Sequence, residues 1–438
     1  MDRSSKGTAF LQWFAESPAE WNRLRLRNVL DEILAGNWGE DAGISEADRY
    51  CARIADFDWQ HLKLLGGSLR TIRSYTYASA SRFVLRDGDL LVEKSGGGEK
   101  HPVGRCVQYE GNEGPAFTNF AMRLRTNQLV LSDYLKFVLA ASYYRGHSWK
   151  ILSQTTGIQN LDVSAFRSTP IPLPSVNEQK QIVTYLDAKT AEIDGLVSKL
   201  EREAELLERY RRQLIARTVT RGLHPNTPMR DSGVEWIGEV PKAWRVIPLK
   251  ALLRRKSSKN RPDLRVLSVE RNQGVVDREA EGSADNHNRL PEDLSGYLVV
   301  SKGQFVMNKM KAWQGSYGVS FYDGIVSPAY YVFDLSTEVP EFFNWMIRSD
   351  AFIPFFGMNS FGIRTDQWDF KVSALRTIPL FMPSKHEQRK IAVFLDRKTV
   401  AIDSAIAGIK RQIELLSKYR KQVINDTVTG KIRVGEVA

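Results

Sequence analysis

The sequence predicts an α/β (α+β) protein written twice. Two β-rich units are separated by two long antiparallel coiled-coil helices, giving an internal pseudo-twofold repeat. Three observations carry this expectation. The phrase "EQKQIVTYLDAKTAEID" (Glu178–Asp194) returns as "EQRKIAVFLDRKTVAID" (Glu387–Asp403), 209 residues later. Apolar residues recur at intervals of seven through both copies. Between them lie short β-branched and aromatic runs broken by Gly, Asn and Asp, such as "RFVLRDGDLLVEK" and "GVSFYDGIVSPAYYVFDL", the pattern of strands and turns.

The duplication is the firmest element. Aligned without gaps from Glu178 and Glu387, about 20 of 43 positions match through Thr220 and Thr429, where chance gives roughly two or three. Each copy follows a proline-rich phrase, "STPIPLPSVNEQ" and "RTIPLFMPSKHEQ", which suits a strand-to-helix connector. Glu178 and Glu387 then fall in the first helical turns, where the helix dipole favours an acid. Fainter echoes extend outward. "PAEWNRLRLRNVL" (Pro18–Leu30) is echoed by "PKAWRVIPLKALL" (Pro241–Leu253), and "LRDGDLLVEKSGG" from Leu85 by "VSKGQFVMNKMKA" from Val300. "SDYLKFVLAASYYR" from Ser132 parallels "PEFFNWMIRSDAFI" from Pro340, each reading as a short buried helix. The expected order is a first unit at 1–169, a first helix at 170–222, a linker and second unit at 223–377, and a second helix with tail at 378–438. The linker, "GLHPNTPMRDSGVEWIGEVPKAW", is rich in proline and glycine.

In the first helix Leu186, Ile193, Leu200, Leu207 and Leu214 form the seven-residue column; in the second, Leu395, Ile402, Ile409, Leu416 and Val423 do. Val197, Ala204, Ile406 and Ile413 widen each stripe. Such a seam needs a partner helix, and each copy can serve the other; the alternative is that each packs on its own unit's core. Glu192–Thr218 makes a rod of about 40 Å. One turn of B-DNA is about 34 Å, the spacing at which two readers face one side of a duplex.

Composition bounds the rest. Apolar residues at 42% and aromatics at 10% give each half a core. A net charge of +11 favours a polyanionic partner. Two cysteines, Cys51 and Cys106, exclude a disulfide scaffold and fit a reducing compartment. No apolar run approaches membrane-spanning length and the N-terminus lacks a signal-peptide core, so a cytoplasmic location is expected. The six histidines show no metal-ligand spacing, so no metal is expected. The run "EKSGGGEKHPVG" (Glu93–Gly104) lacks the G-K-[ST] ending of a P-loop. It reads as a flexible basic loop, either a plain surface hairpin or one tracking phosphates. Pro262, Asp263 and Glu270 lack the acid-x-lysine of a nuclease, and no glycine-rich fingerprint pairs with an N/D-P-P-[YF] tetrad. No catalytic set emerges.

What remains is polar and basic side chains on loops. The first unit offers Arg70, Arg73 and Tyr75, then Lys94, Lys100 and Arg105, then Arg145, Lys150, Gln154, Gln159 and Asn160. The second offers Lys259 and Arg261, then Asn308, Lys309, Lys311, Gln314 and Tyr317, then Asn359 and Arg364. Arg and Lys address phosphates or guanine, and Asn and Gln address adenine, so these types suit groove reading.

The two-copy phrase "IPLP…EQ…I…LD.KT.EID", continued by "LL..YR.QLI…VT.G", resembles the specificity subunit of type I restriction–modification systems. "DSGVEWIGEVPKAWRVIPL" resembles that family's passage into a second target-recognition domain, and the likeness spans essentially the whole chain. The first unit's "PAEWNRLRLRNVL" carries less of that pattern. The resemblance implies a non-catalytic chain in which each unit reads half of an interrupted double-stranded DNA target. The helices would set the gap and dock two methyltransferase subunits, which carry S-adenosylmethionine; a translocase–nuclease subunit would join for cleavage. No cofactor would bind this chain directly. The competing readings are a standalone DNA-modifying or DNA-cleaving enzyme and a coiled-coil adaptor without DNA.

Overall fold

The computed structural model describes residues 17–155, 158–271, 273–278, 290–362 and 368–436. The chain forms two compact units that cut across the four consecutive segments read from the sequence. One comprises Met1–Lys199 with Arg411–Ala438, the other Leu200–Lys410. Each therefore takes half of each long helix, Val176–Arg221 and Lys385–Val428.

In the first unit a five-stranded sheet runs in the order Leu30–Ala35, Ala121–Thr126, Leu90–Glu93, Cys106–Glu110 and Lys63–Leu65. All its pairs are antiparallel except the last. Alternation along the strands splits the side chains between two faces. Leu90, Val92, Cys106 and Met122 join Tyr134, Leu135 and Val138 of the helix Ser132–Tyr144 in one core. Leu91, Val107, Tyr109 and Ala121 join Phe57 and Phe117 in another. The second unit has a four-stranded antiparallel sheet, Leu253–Lys256, Tyr330–Leu335, Phe305–Asn308 and Tyr317–Val319. Phe305, Met307 and Phe333 pack there against Phe342, Phe343 and Met346 of the helix Pro340–Ile347.

The repeated phrase supplies the cap of each long helix. The incoming strand pairs antiparallel with the strand that leads into the helix, Asn22–Arg25 with Pro170–Leu173 and Arg245–Pro248 with Pro379–Met382. The tryptophan just before each incoming strand then reaches the first turn. Trp21 donates its indole N–H to Glu178 at 2.9 Å, and Trp244 to Glu387 at 3.2 Å. Ser175 and Ser384 accept from the backbone N–H of those glutamates, both at 3.3 Å, meeting donors that a helix start leaves open. The buried amides of Gln179 and Gln388 donate to the carbonyls of Pro174 and Pro383, at 3.0 and 2.9 Å.

Within each unit the two helix halves run antiparallel and share the core. Ile182 and Leu186 cluster with Val423, Ile424 and Val428 in the first, and Ile215 and Val219 with Ile391 and Leu395 in the second. The two sequence alternatives therefore coexist: the helices pair, and their ends also pack on the sheet-bearing cores. Of the seven-residue columns, Leu186, Ile193, Leu395, Ile402, Ile409 and Val423 are buried, while Leu200, Leu207, Leu214 and Leu416 are half-buried. The flanking Val197, Ala204 and Ile406 are buried too, so the seam's centre lies between the columns.

An ion pair at equivalent positions bridges the helix halves in each unit. Arg420 grips Asp194 with both carboxylate oxygens at 3.0 to 3.3 Å, and Arg211 meets Asp403 at 2.8 Å. The first is nearly enclosed, with side chains 9% and 12% exposed, whereas the second is open at 30% and 53%. Truncating one member of an enclosed pair strands the other charge, while an open pair is screened by solvent. Arg420→Ala should therefore cost about 3 kcal/mol and Arg211→Ala about 1 kcal/mol or less. Denaturant titration of the two variants in low and high salt checks the order; equal losses would contradict it.

His147 gives a second prediction. It lies buried between the helix Ser132–Tyr144 and the turn Ser148–Lys150. Burial, then Lys150 and Arg145, press its imidazole down to about 4. The unfolded value is about 6.5, so the unfolded chain binds the extra proton first. The stabilisation is fully present above pH ~6.5 and is lost as pH falls toward ~4. In His147→Gln the stability slope across that window should be smaller by about one proton, or ~1.4 kcal/mol per pH unit, as read from pH-dependent unfolding.

Candidate nucleic-acid interface

In the first unit the buried strand Leu90–Glu93 delivers Lys94 to a junction of three loops. Lys94 is fixed by its main chain: its N–H donates to Phe120 O at 2.7 Å and its carbonyl accepts from Leu161 N at 2.8 Å. The second bond seats the hairpin Leu152–Thr155/Ile158–Leu161, and Asp162 N closes it by donating to Ile151 O at 2.7 Å. Ser95 donates its hydroxyl to Asn160 Oδ1 at 2.7 Å, and Gln159 stands opposite Gly96 in the register.

The glycine run is held closely at two positions, which corrects the expectation of a flexible loop there. Gly97 has φ +61°, and a Cβ would fall 2.8 Å from Gln159 Oε1 and 2.9 Å from Val103 N. Gly104 has φ +106°, and a Cβ would fall 2.5 Å from Ser148 Oγ. Only glycine fits both the conformation and the space. The loop thus lies against the hairpin and the Ser148–Lys150 turn. Lys100, Trp149, Lys150 and Ile158 are exposed around this junction.

The second unit builds the same junction. The strand Phe305–Asn308 delivers Lys309, whose N–H donates to Ala329 O and whose carbonyl accepts from Phe370 N, both at 3.2 Å. Lys371 N donates to Asn359 O at 3.0 Å and closes the strand pair Ser360–Phe361/Asp369–Phe370. Asn308 Oδ1 accepts from the N–H groups of Met310 and Lys311, at 3.0 and 3.3 Å, and so shapes the following turn. Aromatic rings line this junction. Lys309 Nζ and the Arg255 guanidinium lie 4.8 and 4.9 Å from the Tyr331 ring, and Lys371 Nζ lies 4.8 Å from Phe361. The Trp313 and Trp368 rings meet at 5.4 Å, tilted 58° to each other. Cations beside rings, with amides between them, are the chemistry of a surface that meets phosphates and bases.

The structure sorts the sequence candidates. Lys94, Lys100, Lys150, Asn160 and the backbone position of Gln154 gather at the first junction; Asn308, Lys309, Lys311, Gln314 and Asn359 gather at the second. Arg364 lies outside the described residues. Three candidates are corrected to interior roles. Tyr75 is 2% exposed and donates its hydroxyl to Asn37 O at 3.2 Å. Tyr317 is fully buried, stacked 4.2 Å from Phe356. Burial raises both phenols. Gln159 is likewise buried, beneath Gly97.

Other arginines are engaged in building the platform. Arg105 pairs with the buried Glu93 at 2.9 Å and stacks 3.7 Å from Trp59. Arg73 pairs with Asp41 and covers Trp38 at 4.9 Å. Arg145 donates to Asn425 at 2.6 Å, Arg70 to the carbonyls of Gly67 and Leu69 at 3.0 and 2.8 Å, and Arg261 to Asp263 at 2.7 Å. Lys259 is exposed on the loop that carries Arg261. Sequence reading missed Trp149, Arg255, Trp313, Tyr331, Phe361, Trp368 and Lys371. The signal for several was an aromatic beside a basic residue in a turn, as in "GHSWK", "MKAWQ" and "QWDFK". Among the described residues no group of His, Cys, Asp and Glu could hold a metal, and no helix is long and apolar enough to cross a membrane.

Comparison with known proteins agrees with this geometry. Residues 102–206 match the family model of the type I restriction modification DNA specificity domain. That match runs through the first junction's hairpin into the first long helix. The MjaVIII specificity subunit of a type I restriction enzyme of Methanocaldococcus jannaschii is 27% identical over 301 residues, 64% of this chain and 67% of its own. The putative MjaX specificity subunit of the same organism is 23% identical over 434 residues, 96% and 95% of the two chains. A chain from a solved structure of the type I R-M system superposes with a TM-score of 0.65 at 13% identity, covering 95% of this chain and 99% of that one, a likeness of fold. With its duplicated units and duplicated helices, the chain is similar along almost its full length to a specificity subunit of a type I restriction enzyme.

Proposed function

We propose that this chain is the non-catalytic DNA-recognition subunit of a type I restriction–modification complex. Each unit reads one half of a bipartite duplex target, and the paired helices set the gap and dock two methyltransferase subunits. S-adenosylmethionine and the methylation chemistry belong to those partners, and a translocase–nuclease subunit joins for cleavage in the cytoplasm. The observation that carries the reading is the repeated junction, in which the same main-chain bonds hold Lys94 and Lys309. Two equivalent platforms with different side chains suit two half-sites of different sequence. The main chain sets position while side chains meet phosphates and base edges.

Modified adenines mapped in cells that co-express the partner methyltransferase test this directly. Exchanging residues 17–169 for the matching unit of another family member should change one half-site and leave the other. Shortening both long helices by one heptad should change only the gap; altered half-sites would make the helices readers. Methylation that persists at the same sites without this chain would refute the assignment.

Single lysines give a finer test. Lys94→Ala or Lys309→Ala should weaken duplex binding across sequences and lower the log–log salt slope by roughly one. A loss confined to one base position would instead make that lysine a base reader.

A further inference from the structure

The unit that comprises Met1–Lys199 with Arg411–Ala438 holds a pocket of about 520 Å³ beside the first junction. Trp38, Ile54, Asn119 and Phe120 line it, with Arg53 and Glu93 as the charged side chains of the lining. Pockets of roughly 300–1,000 Å³ with apolar walls and a few polar groups are the kind that enclose a small ligand.

The walls are fixed by main-chain bonds. The N–H groups of Gly36 and Asn37 donate to Ala121 O and Phe117 O, both at 3.0 Å, and so bring the Trp38 loop onto the turn that carries Phe120. Thr118 N donates to Ala52 O at 2.9 Å, which ties the same turn to the segment of Arg53 and Ile54. The Trp38 carbonyl accepts from Arg73 Nε at 3.2 Å. Both charged side chains of the lining have partners, Arg53 with Asp56 at 2.8 Å and Glu93 with Arg105 at 2.9 Å. The pocket therefore offers rings and an amide, with its charges satisfied from within. That chemistry suits a neutral, flat, partly polar ligand better than a phosphate.

Phe120 differs from its counterpart in the other unit. Lys94 N donates to Phe120 O as Lys309 N donates to Ala329 O. Thr118 Oγ1 accepts from Phe120 N, and Ser327 Oγ from Ala329 N, each at 3.3 Å. The same turn is thus built with phenylalanine in one copy and alanine in the other. Holding the junction takes only the main chain of this residue, yet the Phe120 ring is 44% exposed in the lining of the pocket.

We propose that this pocket receives one nucleobase swung out of the duplex, stacked on Phe120 with the Asn119 amide beside its polar edge. The proposal rests on the DNA reading above and extends it from the surface of the junction to the recess next to it. Ser95 and Phe120 belong to both, so a backbone held at the junction presents its bases to the pocket. Stacking on an aromatic side chain serves any base, because each has a π-face, and extrusion costs least for a base without a partner.

Binding of the full-length chain is measured to three duplexes: one fully paired, one with a single unpaired adenine, and one with a single unpaired abasic nucleotide. The abasic bulge has the flexibility of the adenine bulge without its base. The adenine bulge should bind about tenfold more tightly than the abasic one. Phe120→Ala, which gives this turn the residue of its counterpart, should keep the parent's melting temperature and bring the two bulges within about twofold of each other. Phe120→Tyr keeps a ring and should keep the preference. An adenine bulge no tighter than the abasic one, or a preference that survives in Phe120→Ala, overturns the proposal while paired-duplex binding upholds the DNA reading. If that surviving preference comes with a weakened hold on the partner methyltransferase, the pocket takes a protein side chain instead. A chain that binds none of the three duplexes defeats the DNA reading and the proposal with it.

Discussion

The constraint on which the structure depends is that neither unit closes its core from its own stretch of sequence. The core beneath the sheet of the first unit includes Val423, Ile424 and Val428, from the far end of the chain. The core of the second includes Ile215 and Val219, contributed by the helix that leaves the first. Apolar side chains at these positions lose their burial if either helix is absent. The helices are thus structural members of both cores before they are anything else. A long helix in water gains little from propensity alone and is held by packing along an apolar face. Within each unit that face is supplied by the partner helix half and the sheet-bearing core.

Polar groups fix direction and register, which apolar stripes specify weakly. The Asp194–Arg420 and Arg211–Asp403 pairs sit at equivalent places in the repeat. A one-residue slip would swing each carboxylate about 100° around its helix, away from its arginine. At the helix starts the tryptophan–glutamate contacts and the glutamine–carbonyl bonds pin each first turn to the strand that feeds it. The repeated acids and amides are therefore explained by their partners at each helix start, an indole N–H for each glutamate and a proline carbonyl for each glutamine.

Much of this was legible in the sequence, and the parts that were not share a cause. Periodicity revealed the helices because the seven-residue spacing is local. The Glu178 and Glu387 positions pointed to the helix starts for the same reason. The glycine run misled as a loose loop because what Gly97 and Gly104 meet, Gln159 and Ser148, lies far along the chain. Tyr75 and Tyr317 look like groove readers in "RSYTY" and "QGSYG", yet their faces of the strand turn inward, and a two-residue period cannot say which face is the interior without a partner sheet. Arg73 and Arg105 were misjudged likewise, since Trp38 and Trp59, which they cover, come from distant segments.

The junctions also show how one scaffold can carry two different surfaces. Lys94 and Lys309 are positioned by main-chain N–H and C=O groups, and so are the hairpins that return to them. Those bonds are indifferent to the side chain, so a change of residue alters the surface without removing its support. The arginines that do build the platform, Arg73 and Arg105, are spent on aspartate, glutamate and tryptophan partners and are not free to vary in the same way. Support and surface chemistry are therefore carried by different atoms. After duplication the two copies could diverge in their side chains while the same backbone bonds held each junction in place.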